Sequence, residues 1–207
     1  MHREMAFAFH YIKGVAEVFH SAHIRIDNNR VLERIVEEIQ GVIARMDEND
    51  LERAMALITK GSHIYAAGEG RSGFQARSFA MRMMHIGYTS YMMGETICPS
   101  MREGDVLLAI SGSGKTRHTV EDAEAAKKLG VRVIAVTSKS DSPLASVADA
   151  VIVVPGRVKG ESSGSIQLLS SLFDQSVHIA LDALCLMLSR RDDVSDADAN
   201  ANHANVE

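Results

Sequence analysis

Residues 105–120, DVLLAISGSGKTRHTV, constrain the fold more than any other stretch. Val106 to Ile110 form a short unbroken apolar run, which suits a strand buried on both faces of a parallel sheet. Ser111-Gly112-Ser113-Gly114 ends the run with two residues that tolerate positive φ and two hydroxyls. From Thr116 a helical pattern runs to about Leu129 and stops at Gly130. A strand, a Gly/Ser turn and a helix aim main-chain N–H groups, a helix dipole and hydroxyls at one point, which suits an anion such as phosphate. The stretch also fits a relaxed nucleotide P-loop pattern through Gly114-Lys115-Thr116. There, however, the first glycine position is Ala109, which belongs to the strand, and a turn of about four residues is short for wrapping two phosphates. Phosphomonoester site, nucleotide loop and plain βα turn stay open on these residues.

A second unit of the same kind precedes the first. Ile64-Tyr65-Ala66-Ala67 suits a strand, Gly68-Glu69-Gly70-Arg71-Ser72-Gly73 a glycine turn, and the following residues a helix to about His85. The G-x-G-x-x-G match is weak by itself, because no strand-end acid stands about 20 residues on to hold a ribose. Glu95, after Gly94 at the end of an expected strand from Tyr88 to Met93, is the nearest. Arg71 is placed to meet an anion with paired N–H groups, or to make an ordinary surface ion pair.

Downstream, Val131–Val136 is a strand ending in Thr137-Ser138, Pro143–Val147 a short helix, and Ala150–Val154 a fifth strand stopped by Pro155-Gly156. Residues 157–165 are Gly/Ser-rich and polar, a surface loop or a lid. A long helix is expected from about Ile166 to Arg190, apolar nearly all round and therefore buried, partly against another subunit. Asp174, His178 and Asp182 interrupt it at four-residue spacing, so they share one face. A buried carboxylate is rare unless paired or functional, and His178 is the local partner available to Asp174.

Ahead of the strands come three helical segments: residues 1–26, a stretch capped by Asp27 or Asn28 with Val31, Leu32, Ile35, Ile39 and Ile43 on one face, and Asp50 to Lys60. His10, His20 and His23 are scattered along them and suit surface or packing roles better than ligation. Five strands alternating with helices predict an α/β fold: a doubly wound five-stranded parallel sheet of flavodoxin-like order 2-1-3-4-5, helices on both faces and a helical N-terminal extension. Its switch point falls between strands 1 and 3, flanked by the two Gly/Ser turns. The expected division is 1–60 as a helical segment packed on the domain, 61–190 as the α/β domain, and 191–207 as an acidic, polar tail that composition alone marks as disordered.

Composition narrows the function classes. A formal net charge of −5 argues against a general nucleic-acid surface. No run of about 18 apolar residues points to a membrane span, and the apolar part of the N-terminus is too short and interrupted for a signal peptide. The two cysteines, Cys98 and Cys185, fit neither a disulfide framework nor a zinc spacing, and a reduced cytoplasmic protein is expected.

The segments Ala67-Gly-Glu-Gly-Arg-Ser-Gly73, Ser78 to Gly87, Gly94-Glu95, Ala109-Ile-Ser-Gly-Ser-Gly114, Ser170-Ser-Leu-Phe-Asp-Gln175 and the ending His203 to Glu207 resemble a sugar isomerase (SIS) domain. Within that superfamily they resemble the 6-phospho-3-hexuloisomerases, over about residues 30–207. The family usually has Glu at the positions of Lys115 and Asp174 and Gly at that of Ser170. The resemblance implies interconversion of a 3-hexulose 6-phosphate and fructose 6-phosphate through an enediol, without metal or other cofactor, in a homodimer or homotetramer. It further implies Ser72, Ser111, Ser113 and Thr116 on the phosphate, Arg71 near phosphate or sugar oxygens, and Gly70 among the substrate-binding residues. Asp174 is then the base, and Glu95 and His203 move hydroxyl protons, the tail of His203 in its own or a neighbouring subunit. A sugar-phosphate sensor without a working base and a nucleotide-binding protein are the competing classes.

Overall fold

The computed structural model describes residues 30–206. The whole sheet lies in one compact unit, Ile35–Glu207. The helix expected over residues 1–26, Asp27, Asn28 and the three early histidines lie outside the described residues. In order come α1 (Val31–Ile43), α2 (Glu48–Leu57), β1 (Ile64–Gly68), α3 (Arg71–His85), β2 (Ser90–Met92), β3 (Val106–Ile110) and α4 (Arg117–Lys128). They are followed by β4 (Arg132–Thr137), α5 (Pro143–Val147), β5 (Ala150–Val153), α6 (Ser171–Arg191) and α7 (Asp196–Ala201).

The five strands are all parallel, in the order β2-β1-β3-β4-β5, as the strand–helix alternation predicts. Side chains alternate across the sheet, so each strand feeds two cores. Ile64, Ala66, Val106, Leu108, Ile110, Ile134, Val136 and Ile152 pack against Phe79 and Met83 of α3 and Phe173, Val177 and Leu184 of α6. Tyr65, Ala67, Leu107, Ala109, Val133 and Ala135 pack against Ala123 and Ala126 of α4 and Leu144 of α5. Helices therefore cover both faces, which accounts for strands without a polar side. Gly68 lies opposite Ile110, and Ile110 opposite Val136, so β1, β3 and β4 deliver their turns at one level of the sheet.

Two expectations about the C-terminal half need correction. The long helix begins at Ser171, not Ile166. Glu38 accepts hydrogen bonds from Ser165 Oγ (2.7 Å), Ile166 N (2.7 Å) and Gln167 Nε2 (3.1 Å), and Arg157 Nη1 donates to Gln167 O at 2.7 Å. Leu169 takes φ +54°, which interrupts helical geometry whatever the apolar pattern says. The segment ahead of α6 is thus a tethered turn, and Leu168 and Leu169 stay exposed. α6 is long and apolar enough to cross a membrane by length and composition, yet Leu172, Phe173, Val177, Leu181, Leu184 and Leu188 are buried in the protein. The tail, in turn, carries α7, started by a capping box between Ser195 and Asp198.

Asn202 Nδ2 donates to His85 O at 3.0 Å, and the His203 ring stacks on His85 at 5.0 Å. Burial, with Arg82 and His203 adding, pushes the His85 pKa below its ordinary value of 6.5. Around and below pH 6.5 the unfolded chain thus binds a proton that the folded protein refuses, and stability falls as the pH drops. His85→Gln is expected to flatten this acid slope when melting temperature is followed from about pH 7.5 to 5. An unchanged slope would assign it to other groups.

Candidate active site

The turn after β3 is closed by a hydrogen bond from Gly114 N to Ser111 O at 2.9 Å. Gly114 has φ +62°, and a Cβ there would overlap Ser142 Oγ and lie 2.9 Å from Thr137 Oγ1. The turn is held against the end of β4: Ser138 N donates to Gly112 O at 3.0 Å and Thr137 Oγ1 to the same oxygen at 3.3 Å. Ser111 Oγ and Thr116 Oγ1 share a 2.8 Å hydrogen bond, and Lys115 N donates to Ser113 Oγ at 3.2 Å. Thr116 is the N-cap of α4, but its hydroxyl caps no main-chain N–H. Three hydroxyls and the unpaired first N–H groups of α4 thus share one end of the sheet, an anion-seeking arrangement. Ala109, at the position of a nucleotide loop's first glycine, is fully buried inside β3, which leaves only the short turn after it.

The turn after β1 is equally tight. A Cβ at Gly73 would stand 2.7 Å from Gly68 O, and Gly70 takes φ +58°. Arg71 and Ser72 open α3, and both reach a residue more than a hundred positions away. Arg71 Nε donates to Asp174 Oδ2 at 3.1 Å and Ser72 Oγ to Asp174 Oδ1 at 3.3 Å. Ser170 Oγ adds a third bond, to Oδ2 at 3.0 Å. Asp174 is fully buried in the first turn of α6, where the helix dipole also favours its charge. The local pairing expected with His178 is therefore not made. His178 instead faces Gln75 Oε1 at 3.0 Å and Asp182 at 3.6 Å.

Packing joins the two turns. A Cβ at Gly112 would lie 2.8 Å from Val158 Cγ1 and 3.0 Å from Phe173 Cδ1, so the ring next to Asp174 rests on the phosphate-type turn. Residues 157–165 are no free lid: Arg157 holds the Glu161 and Gln167 carbonyls, and Lys139 pairs with Glu161 at 3.2 Å. A polar cavity of about 310 Å³, lined by Arg45, Ser138, Lys139 and Arg157 among others, lies under this loop.

The structure thus gathers Gly70, Arg71, Ser72 and Asp174 beside Ser111, Ser113 and Thr116. Glu95 stands beyond the end of β2, half exposed and paired with Arg77 at 2.8 Å. His203 stacks on His85, the last residue of α3, whereas Arg71 is its first. Fourteen residues of helix separate those ends by about 20 Å, so His203 does not meet Asp174 in its own chain. Sequence inspection missed Ser170 as a partner of Asp174; its place at the N-cap, four residues before the acid, was the available signal.

A family model described as SIS domain matches residues 57–179, from the end of α2 to the middle of α6. The chain belongs to the SIS domain family. The matched span contains both turns and Asp174, which bears out the resemblance carried by those motifs. This SIS protein is 38% identical to the 3-hexulose-6-phosphate isomerase of Mycobacterium gastri over 184 residues, 88% of this chain and 92% of that one. It is 35% identical to the 3-hexulose-6-phosphate isomerase of Bacillus subtilis over 176 residues, 84% of this chain and 95% of that one. A Methanococcus jannaschii protein, whose crystal structure was read as inferring a function of 3-hexulose-6-phosphate isomerase, superposes with a TM-score of 0.73 at 29% identity. That match covers 85% of the SIS chain and 98% of the other.

Proposed function

We propose that this SIS protein is a sugar-phosphate isomerase interconverting 3-hexulose 6-phosphate and fructose 6-phosphate. The observation that carries the proposal is a fully buried carboxylate, Asp174, next to a hydroxyl-rich turn at the switch point of the sheet. Relatives that bear this name over most of both chains support it. Ser72, Ser111, Ser113, Thr116 and the first N–H groups of α4 hold the phosphate dianion, with Arg71 near the phosphate or sugar oxygens and Gly70 lining the substrate. Asp174 removes the proton from C2 of the 3-ketose, and an enediol spans C2 and C3. The hydroxyl proton passes from O2 to O3, and the carbon-bound proton is returned at C3, leaving the carbonyl at C2. Glu95, at the rim, relays the hydroxyl proton, and the tail with His203 serves a neighbouring subunit of a homodimer or homotetramer. Apolar side chains left exposed on α3 and α6, Phe74, Met81, Met84, Ile179 and Leu186, support such an assembly. A cytoplasmic location goes with a phosphorylated metabolite as substrate.

Turnover is tested by coupling product formation to glucose 6-phosphate oxidation. In that assay Ser111→Ala is expected to raise KM about tenfold with a smaller change in kcat, because phosphate binding is shared by ground and transition states. Unchanged KM and kcat would place the phosphate elsewhere. One observation favours a second function, a sugar-phosphate-binding protein without turnover: Asp174 is completely covered and bonded to three donors. Binding of fructose 6-phosphate without conversion would decide for it.

A further inference from the structure

The ion pair between Arg71 and Asp174 is lopsided. The arginine side chain is 54% exposed and the carboxylate 0%, so the guanidinium is the solvent-facing member of the pair. Its Nε is the atom held by Asp174; its two terminal amino groups make no hydrogen bond to any described residue. Gly68 and Ile110 end adjacent strands in register, so Arg71 and Ser113, each three residues past its strand end, emerge over the same crevice. A dianion held at the Ser111–Thr116 turn therefore meets a half-exposed guanidinium whose free edge matches two phosphate oxygens. Asp174 is equipped for the loss of its cation, since Ser72, Ser170 and the N-terminal turn of α6 stay with it.

We propose that Arg71 is a phosphate-operated cover: it seals Asp174 in the free protein, and the substrate's phosphate draws it away, uncovering the carboxylate. The inference rests on Asp174 being the base, and it resolves the conflict between that role and the complete enclosure of the side chain. Proton abstraction is thereby confined to complexes in which the phosphate is already seated, which ties specificity for phosphorylated sugars to the chemistry as well as to binding.

The two partners of Arg71 compete, so the cover has a thermodynamic signature that needs no turnover. Inorganic phosphate is titrated calorimetrically into the wild type, Asp174→Asn, Arg71→Ala and the double variant. Asp174→Asn is expected to tighten phosphate binding about 5- to 30-fold, since the guanidinium no longer has to be won from the carboxylate. In the Arg71→Ala background the same change is expected to alter affinity less than about twofold. Equal tightening in both backgrounds would mean simple charge repulsion by Asp174, and weaker binding in Asp174→Asn would mean that the carboxylate positions Arg71; either overturns the cover. If Asp174→Asn does not fold, the Nε–H resonance of Arg71 in the intact protein decides. Phosphate should shift it and speed its exchange with water, and an unmoved resonance would refute release. A protein showing this coupling but no isomerisation would keep the cover and lose the isomerase; the reverse result would do the opposite.

Discussion

Asp174→Asn is expected to lower kcat about 10²–10⁴-fold, the usual contribution of a positioned general base, with folding stability close to wild type. Removing one partner of a buried ion pair is ordinarily costly because the other is left charged and dry. Here the partner left behind is Arg71, whose side chain is 54% exposed and is rehydrated by water. Asparagine keeps the shape of the side chain: its one carbonyl oxygen accepts from one of Ser72 and Ser170, and its amide N–H donates to the hydroxyl oxygen of the other, which preserves the local packing around Phe173. The variant therefore separates chemistry from architecture, with kcat and melting temperature measured on the same preparation. A kcat within about tenfold of wild type would move the base to another residue, with Glu95 next in line. Loss of folding would make Asp174 a structural acid instead.

The largest stability loss is expected at Gly114. An alanine there takes on two costs: φ +62°, disfavoured for any residue with a Cβ, and overlap of that Cβ with Ser142 Oγ. Together these amount to about 2–5 kcal/mol, or a melting temperature lower by roughly 5–15 °C for a domain of this size. Ser142 cannot simply turn aside, because its hydroxyl accepts from Ala145 N at the start of α5. The turn must shift instead, and KM should rise with the loss of stability. Gly70→Ala is the control, with a similar φ of +58° but nothing within 4 Å of the added carbon. With ψ −127°, it should cost about 1–3 kcal/mol from backbone strain alone. Equal melting temperatures for the two variants would show that the turn is not locked against Ser142.

Much of the architecture was legible because its signals are local. Apolar runs such as Val106–Ile110, each broken by glycine or serine, mark buried parallel strands, and their alternation with helices leaves few topologies. The two turns were legible for the same reason. Partnerships were not. Asp174 had a neighbour at the right helical spacing in His178, yet Arg71 and Ser72, 103 and 102 residues distant, bind it, and nothing in residue spacing announces them. The start of α6 was misjudged because Ile166, Leu168 and Leu169 extend the apolar pattern, while Glu38, on another helix, fixes the backbone there in a turn. The tail misled through composition: its acidic residues conceal the Ser195–Asp198 capping box, a pattern written in the sequence. That His203 lies against His85, far along α3 from Arg71, follows from where α7 docks and from no motif.

Deuterium transfer tests the proposed chemistry most directly. The purified protein is given 3-hexulose 6-phosphate in D₂O, and the fructose 6-phosphate formed is analysed by mass spectrometry and NMR. Abstraction by Asp174 to give an enediol predicts that C3 is the one carbon of the first-formed product open to label: deuterium where the carboxyl proton exchanges with solvent, protium where it passes directly from C2. Deuterium at any other carbon of that product, or no product from folded protein that binds the sugar phosphate, would contradict the account.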